Sequence, residues 1–305
     1  MVILFICIYV FLPQHLSISK ATLINCTPDA ANRYLSNTNN WPHWWMHNTA
    51  SGNTSVNKNS FIYKNDTFRI KKISQSSIEL TSSNGSVVTN SILHVLPVSF
   101  DTVSIRWEGF IELGLNPVKR VRQYLQSTLV KNDMGAILDR LNDFLSKKEN
   151  VYGLTIEKSS TIDTSLVATK TILSVYPSTA QRYAGINLIQ DYIKKGGAQQ
   201  TGFPMVNVTK SKSDSFQLMV AIPTNKEFKP SGKMLYRKMV QGNFLVTEVK
   251  GGDYTINAAI ATCELYIRDY KKVSMAIPFQ SLVTDRSQEP DTAKWVTKIY
   301  YPINY

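Results

Sequence analysis

The chain is poor in the residues that most enzymes use for acid–base and metal chemistry. Its four histidines are His15, His43, His47 and His94, so none follows position 94. A histidine acid or base in the second half is thereby excluded. His43 and His47 stand four apart, a spacing that shares a helix face as metal ligands do. No third ligand is evident and tryptophans surround the pair, so neither a metal nor a cofactor is expected. Cysteine is equally scarce. Cys7, Cys26 and Cys263 are odd in number and lack CxxC spacing, which supports neither a disulfide framework nor a zinc site. The sequence contains no GxSxG elbow, no GxxxxGK[ST] loop and no GxGxxG turn. It also lacks a continuous apolar run of the about 20 residues that a membrane-spanning helix needs.

What is present is a basic, globular composition. The 305 residues carry a formal charge of +12 and are 43% hydrophobic, enough for a core in each of two domains. The excess charge is spread along the chain, and its densest cluster, Lys119-Arg120-Val121-Arg122, is short. Nucleic-acid binders concentrate basic charge on one element, so no direct nucleic-acid contact is expected. A basic soluble surface, or one facing anionic lipid, fits the distribution.

Residues 1–12 form an apolar run that stops at Pro13. No Lys or Arg precedes it, and no small-residue cleavage site follows it, so it departs from a signal peptide. Three readings stay open: the tail of a membrane anchor that starts upstream, a short interfacial anchor, or a buried strand or helix. Membrane tethering through residues 1–13 is the favoured expectation, with a cytoplasmic location otherwise. The expected domains are 14–150 and 151–305.

The first of these reads as a strand, two small helices, a run of antiparallel strands and a long helix. The strand covers His15 to Cys26, the first helix starts at Thr27-Pro28-Asp29, and Trp41-Pro42-His43-Trp44-Trp45 makes the second. Short β-rich runs occupy Ser60–Tyr63, Thr67–Ile73, Ser77–Thr81, Val87–Leu96 and Asp101–Ile111, with a hairpin turn at Asn84-Gly85. After Asn116-Pro117, Met134, Ile137, Leu138, Leu141, Phe144 and Leu145 fall on one helical stripe. Lys147-Lys148 at its end suit the negative pole of the helix dipole. With Ile24-Asn25-Cys26-Thr27-Pro28, Asn40-Trp41-Pro42-His43-Trp44 and Leu115-Asn116-Pro117-Val118-Lys119-Arg120, this order resembles the SRPBCC (START-like, helix-grip) superfamily over about residues 15–148. The resemblance implies a curved antiparallel sheet around a long C-terminal helix, with a cavity for an apolar molecule.

The second domain contains a weak internal repeat. One copy runs from Thr155-Ile156-Glu157 to Ile222-Pro223, the other from Lys233-Met234-Leu235 to Ile303. Each reads as strand, helix and strand pair, with helices near Thr179–Lys195 and Thr255–Lys271. Phe203-Pro204-Met205-Val206-Asn207 answers Ile277-Pro278-Phe279-Gln280-Ser281, and Phe216–Pro223 answers Trp295–Pro302. Two such copies build an α+β domain with a pseudo-twofold antiparallel sheet, helices on one face and a concave face free for a ligand.

Gly251-Gly252-Asp253-Tyr254, Pro278-Phe279-Gln280 with Thr284-Asp285, and Trp295 to Ile303 together resemble the GyrI-like effector-binding domain over about residues 152–305. That domain also occurs at the C-terminus of some bacterial transcription activators, and its pairing with an SRPBCC domain is familiar in bacteria. The resemblance implies small-molecule binding. In that family a glutamate follows the Pro-aromatic step and projects into the pocket, whereas this chain carries Gln280. An amide hydrogen-bonds but bears no charge, so the pocket is expected to be more neutral and less suited to catalysis than its relatives'. The expected ligand-binding residues are Gln280 as polar anchor and Tyr254, Trp295, Tyr300 and Tyr301 as aromatic walls. Of the last two, strand alternation lets one face the ligand. Glu248 is the nearest substitute carboxylate. Each of these residues has a plain alternative, packing the sheet or lying solvated on a strand.

The sequence therefore points to a membrane-tethered, non-catalytic protein that binds an apolar or amphipathic small molecule. The alternatives are a hydrolase acting on a lipophilic small molecule, lipid handling by the first domain through Trp41, Trp44 and Trp45, and transcriptional regulation. No helix-turn-helix precedes residue 153, so the last would need a separate DNA-binding partner.

Overall fold

The computed structural model describes residues 9–45, 59–64, 66–84, 87–161, 165–211, 214–239, 242–274 and 276–304. The expectations for residues 1–8 with Cys7, for His47 and for Gly85 of the hairpin turn lie outside these. The chain divides into two compact units, Met1–Val151 and Tyr152–Tyr305.

The first unit is a six-stranded antiparallel sheet curled into a half-barrel, together with a long helix. Its strands are β1 (His15–Ile24), β2 (Ser60–Tyr63), β3 (Asp66–Ile73), β4 (Ser77–Asn84), β5 (Val87–Pro97) and β6 (Val103–Glu112), in the order β1-β6-β5-β4-β3-β2. In β6, Val103, Ile105, Trp107 and Ile111 are buried and their neighbours are not, so one face makes the core. A register shift between Ile70 and Lys72 bulges β3, a device that bends a sheet.

Helix α1 (Pro28–Ser36) starts where Thr27 caps the Ala30 N–H, with Pro28 in the first turn. The Trp41 segment lies in a 3-10 turn, Thr38–His43, rather than an α-helix. Pro42 inside it has no N–H to give to an α-helical ladder. Helix α2 (Pro117–Leu145) is capped by Asn116, whose side chain accepts from the Lys119 N–H at 3.0 Å. It buries Met134, Ile137, Leu138, Leu141 and Leu145, while Phe144 is half-buried against Tyr34 at 5.2 Å. Lys147 and Lys148 do not end α2. It stops at Leu145, and Lys148 opens the short α3 (Lys148–Tyr152).

The second unit is an eight-stranded antiparallel sheet in the order β11-β8-β10-β9-β13-β14-β12-β7. The first copy comprises β7 (Glu157–Thr161), β8 (Ser165–Leu173), α4 (Thr179–Lys195), β9 (Met205–Lys210) and β10 (Phe216–Thr224). The second comprises β11 (Leu235–Lys238), β12 (Gly242–Lys250), α5 (Asp253–Asp269), β13 (Phe279–Leu282) and β14 (Val296–Ile303). The central pair β9–β13 joins the copies, and Val206 stands opposite Gln280 there. These are the residues that the sequence repeat equates, so the pseudo-twofold axis passes between them. Each copy also lends its first strand to the other: β7 extends β12, and β11 extends β8.

Both helices lie on one face. Ile186, Ile189 and Ile193 of α4 pack on Val167, Val206, Val220 and Leu282, and Ile256 and Ala259 of α5 pack on Val249 and Ile299. Each isoleucine buried this way contributes roughly 1.5–3 kcal/mol. Helix α4 begins with a capping box between Ser178 and Gln181. Helix α5 begins two residues before the sequence-based estimate, because Gly251, at φ 128°, turns the chain directly from β12 into the helix.

Candidate functional site

The face opposite α4 carries an apolar cavity of about 350 Å³, at the lower end of the range for small-ligand sites. Three strands of the first copy and β11 of the second build most of it. Leu166 and Ala168 come from β8, Met219 and Ala221 from β10, and Met205 and Asn207 from β9 with Val206 between them, which also belongs to the core under α4, and Met239 follows β11. The second copy adds Phe244, Phe279, Pro302, Ala276 and Ile277. Leu166, Ala168, Met205 and Ala221 form one buried cluster with Leu235, Met239 and Phe279 against it, separate from the core under α4.

The repeat explains why the cavity is one-sided. Ala221 pairs with Met205 in the first copy as Tyr300 pairs with Phe279 in the second, and Ala168 pairs with Ala221 as Val246 does with Tyr300. Where the first copy has two alanines, the second has Val246 and Tyr300. The Tyr300 ring stacks on Phe279 at 4.9 Å and 7°, and Phe244 meets it edge-on at 6.1 Å. One half is thus filled by aromatic rings and the other left open by small side chains.

The sequence-derived residues scatter around this cavity, and none is among the residues that line it. Tyr300 shares its face and stands behind Phe279. Tyr301 points the other way, with its hydroxyl 3.5 Å from Glu264 of α5; burial and then that carboxylate raise its pKa. Strand alternation turns Gln280 toward the helices, since its partner Val206 and its second neighbour Leu282 both belong to the core under α4. Its side-chain carbonyl is buried there without a hydrogen-bond partner. Tyr254, on the first turn of α5, is 90% exposed. Trp295 is buried; its indole N–H donates to the Glu289 carbonyl at 2.8 Å and its ring lies 4.8 Å from the Arg286 guanidinium. Glu248 is exposed beside Lys298 at 3.8 Å.

Replacing Gln280 with leucine removes a buried, unsatisfied carbonyl. Stability is expected to stay level or rise by up to about 1 kcal/mol, with hydrophobe binding unchanged. Chemical denaturation and a binding titration on the same variant check this. Lost binding in a folded variant would return Gln280 to the site.

Sequence reading also missed a buried charge network on the helix side. The Arg182 guanidinium, fully buried in α4, donates two hydrogen bonds of 2.8 Å to Asp253 at the start of α5. Arg286, equally buried, lies 3.8 Å from the same carboxylate and donates to the Thr297 hydroxyl at 2.7 Å. Burial opposes the charge on Arg182, but the bonds to Asp253 outweigh it and raise its pKa. Burial, then the neighbouring Arg182, holds Arg286 below its usual range. Three positions distant in sequence are brought together here, and no local pattern announces them.

Cys263 is buried in α5, and burial followed by Glu264 pushes its thiol up to about 11, so the nucleophilic thiolate is scarce at neutral pH. Among the described residues no group of three His, Cys, Asp or Glu could hold a metal ion.

No family model matches the chain, and no curated protein matches it. Among solved structures, EcmrR in a complex with DNA is similar at 18% identity over 63% of this chain and 72% of that one, with a TM-score of 0.46. The C-terminal domain of EcmrR is 15% identical over 50% of this chain and 98% of that one, with a TM-score of 0.43. SAV2435 bound to tetraphenylphosphonium is 14% identical over 50% of this chain and 94% of that one, with a TM-score of 0.33. Likenesses of this strength assign neither a family nor a ligand.

Proposed function

We propose that residues 152–305 form a GyrI-like module that binds an apolar or amphipathic small molecule in the concave-face cavity and does not turn it over. One observation carries this reading: a cavity opened by Ala168 and Ala221 where the other copy closes its half with Val246 and Tyr300. Three methionines line it, Met205, Met219 and Met239, and flexible thioethers adapt to varied apolar shapes. A hydrolase would need a nucleophile or an acid at the cavity. Neither Cys263 nor Glu248 lines it.

Titration with N-phenyl-1-naphthylamine, a neutral fluorescent hydrophobe, tests the proposal. Saturable one-site binding is expected. Binding no tighter than to an unrelated basic protein would end the reading.

The first unit is proposed to be an SRPBCC-type domain. Its tryptophans support a packed interior over a lipid-handling surface: Trp41, Trp44 and Trp45 are all buried, with neighbouring rings 5.0–5.7 Å apart. Among the described residues no helix is long and apolar enough to cross a membrane. Tethering through residues 1–13 is supported by the exposed Val10 and Phe11. Flotation of the full chain with anionic liposomes, lost on deletion of residues 1–11, is the expected outcome. Equal flotation of both forms would remove the tether.

A further inference from the structure

We infer that the ligand of the concave cavity is an anionic amphiphile, an apolar chain or ring system bearing a carboxylate or similar anion, whose head is held by Arg237. This rests on the binding reading above and adds the sign of the ligand's charge.

The charges at the cavity set that sign. Among the described residues its lining contains no aspartate or glutamate, and its charged members are Arg237 and Lys238. The β11–β8 register separates the two. Leu235 lies beside Ala168 and Arg237 beside Leu166, both cavity residues, while Lys238 lies beside Ser165 on the other side of the strand. Lys238 is moreover 3.2 Å from Glu227. Arg237 is therefore the cation directed at the cavity.

Its donors are largely uncommitted. Of the five N–H bonds of a guanidinium, the structure gives one a partner, the Tyr236 carbonyl at 3.1 Å. No carboxylate lies within ion-pair distance of Arg237 among the described residues. The other polar lining group, Asn207, is occupied: its amide N–H donates to the Pro278 carbonyl at 2.8 Å and its oxygen accepts from Thr209 at 2.8 Å. Of the short stretches outside the described residues, 240–241 and 275 hold Val, Gln and Met, while 162–164, which precedes β8, holds Asp163.

Acids on the concave face belong to the far half of the sheet. Glu248 has Lys298 beside it, and Glu157 stands at the outer edge opposite Val246. The aromatic rings at the cavity also pack on one another. Phe279 presents one face to the Tyr300 ring at 4.9 Å, and Phe244 meets both rings edge-on. Among the described residues a ligand entering this cavity thus finds apolar walls, one guanidinium with free donors and no counter-charge. A planar fork of this kind matches a carboxylate in bidentate fashion.

The test is displacement of N-phenyl-1-naphthylamine from the full chain by decanoate, decanol and decylammonium, each below its micelle concentration. Decanoate is expected to bind about tenfold tighter than decanol, equivalent to about 1.4 kcal/mol, with decylammonium weakest. In Arg237→Gln, an exposed edge-strand change, decanoate should bind no tighter than decanol does to the same variant. Decanol or decylammonium binding as tightly as decanoate would overturn the charge assignment and leave the binding reading intact. A decanoate preference that persists in Arg237→Gln would overturn the role of Arg237. If none of the three displaces the probe and the probe itself does not bind, the binding reading fails as well.

Discussion

Replacing Asp253 with alanine is expected to destabilise the second unit by about 3 kcal/mol, measured by urea denaturation. The change leaves the guanidiniums of Arg182 and Arg286 buried with no carboxylate between them. Removing one partner of a buried pair costs about 3–5 kcal/mol. The lower end applies because the Asp253 side chain is 37% exposed, so water screens part of the interaction. The same argument predicts a partial rescue. Asp253→Ala combined with Arg182→Met, which removes the charge that Asp253 holds most directly, should be more stable than Asp253→Ala alone. If the single variant loses less than about 0.5 kcal/mol, the network is a surface feature and does not join α4 to α5.

The second large effect concerns the cavity. Ala221→Phe puts into the first copy the ring that Tyr300 supplies in the second. It should lodge between Ala168, Met205 and Phe279, which line the vacant space. Affinity for N-phenyl-1-naphthylamine is expected to fall at least about 100-fold, or about 2.7 kcal/mol. Because the ring enters space already open, stability should change by less than about 1 kcal/mol, below the usual cost of overpacking. Undiminished binding in the folded variant would place the ligand elsewhere, for instance in a separate cavity between α4 and the sheet, where Thr169, Thr171, Gln181 and Lys233 make the lining more polar.

Much of this architecture was legible in the sequence. The stripe Met134–Leu145 gave the long helix its buried face, and the matched Pro204 and Pro278 steps located the central strand pair. Those signals are local, set by periodicity and by residues that end or cap elements. The cavity was less legible, because the family expectation centred on Gln280, which does not line it. The pairing register sets which face of the sheet Gln280 shares. Gln280 opposite Val206 shares the helix side of the sheet, and a shift of one residue would have reversed it. Arg237 escaped notice because it lines the cavity only through an exchange of first strands between the copies. The alanines were the one readable signal. Ala168 and Ala221 are small where the aligned repeat has Val246 and Tyr300, and a gap in side-chain volume at equivalent strand positions marks a cavity.

The most direct test of the account is the position of a bound ligand. A crystal of the full chain grown with 10-bromodecanoate should show an anomalous bromine peak in the cavity bounded by Met205, Met219, Ala221 and Phe279, with the carboxylate at Arg237. A bromine peak on the helix side of the sheet, or in the first unit alone, would contradict the assignment of the concave face as the binding site.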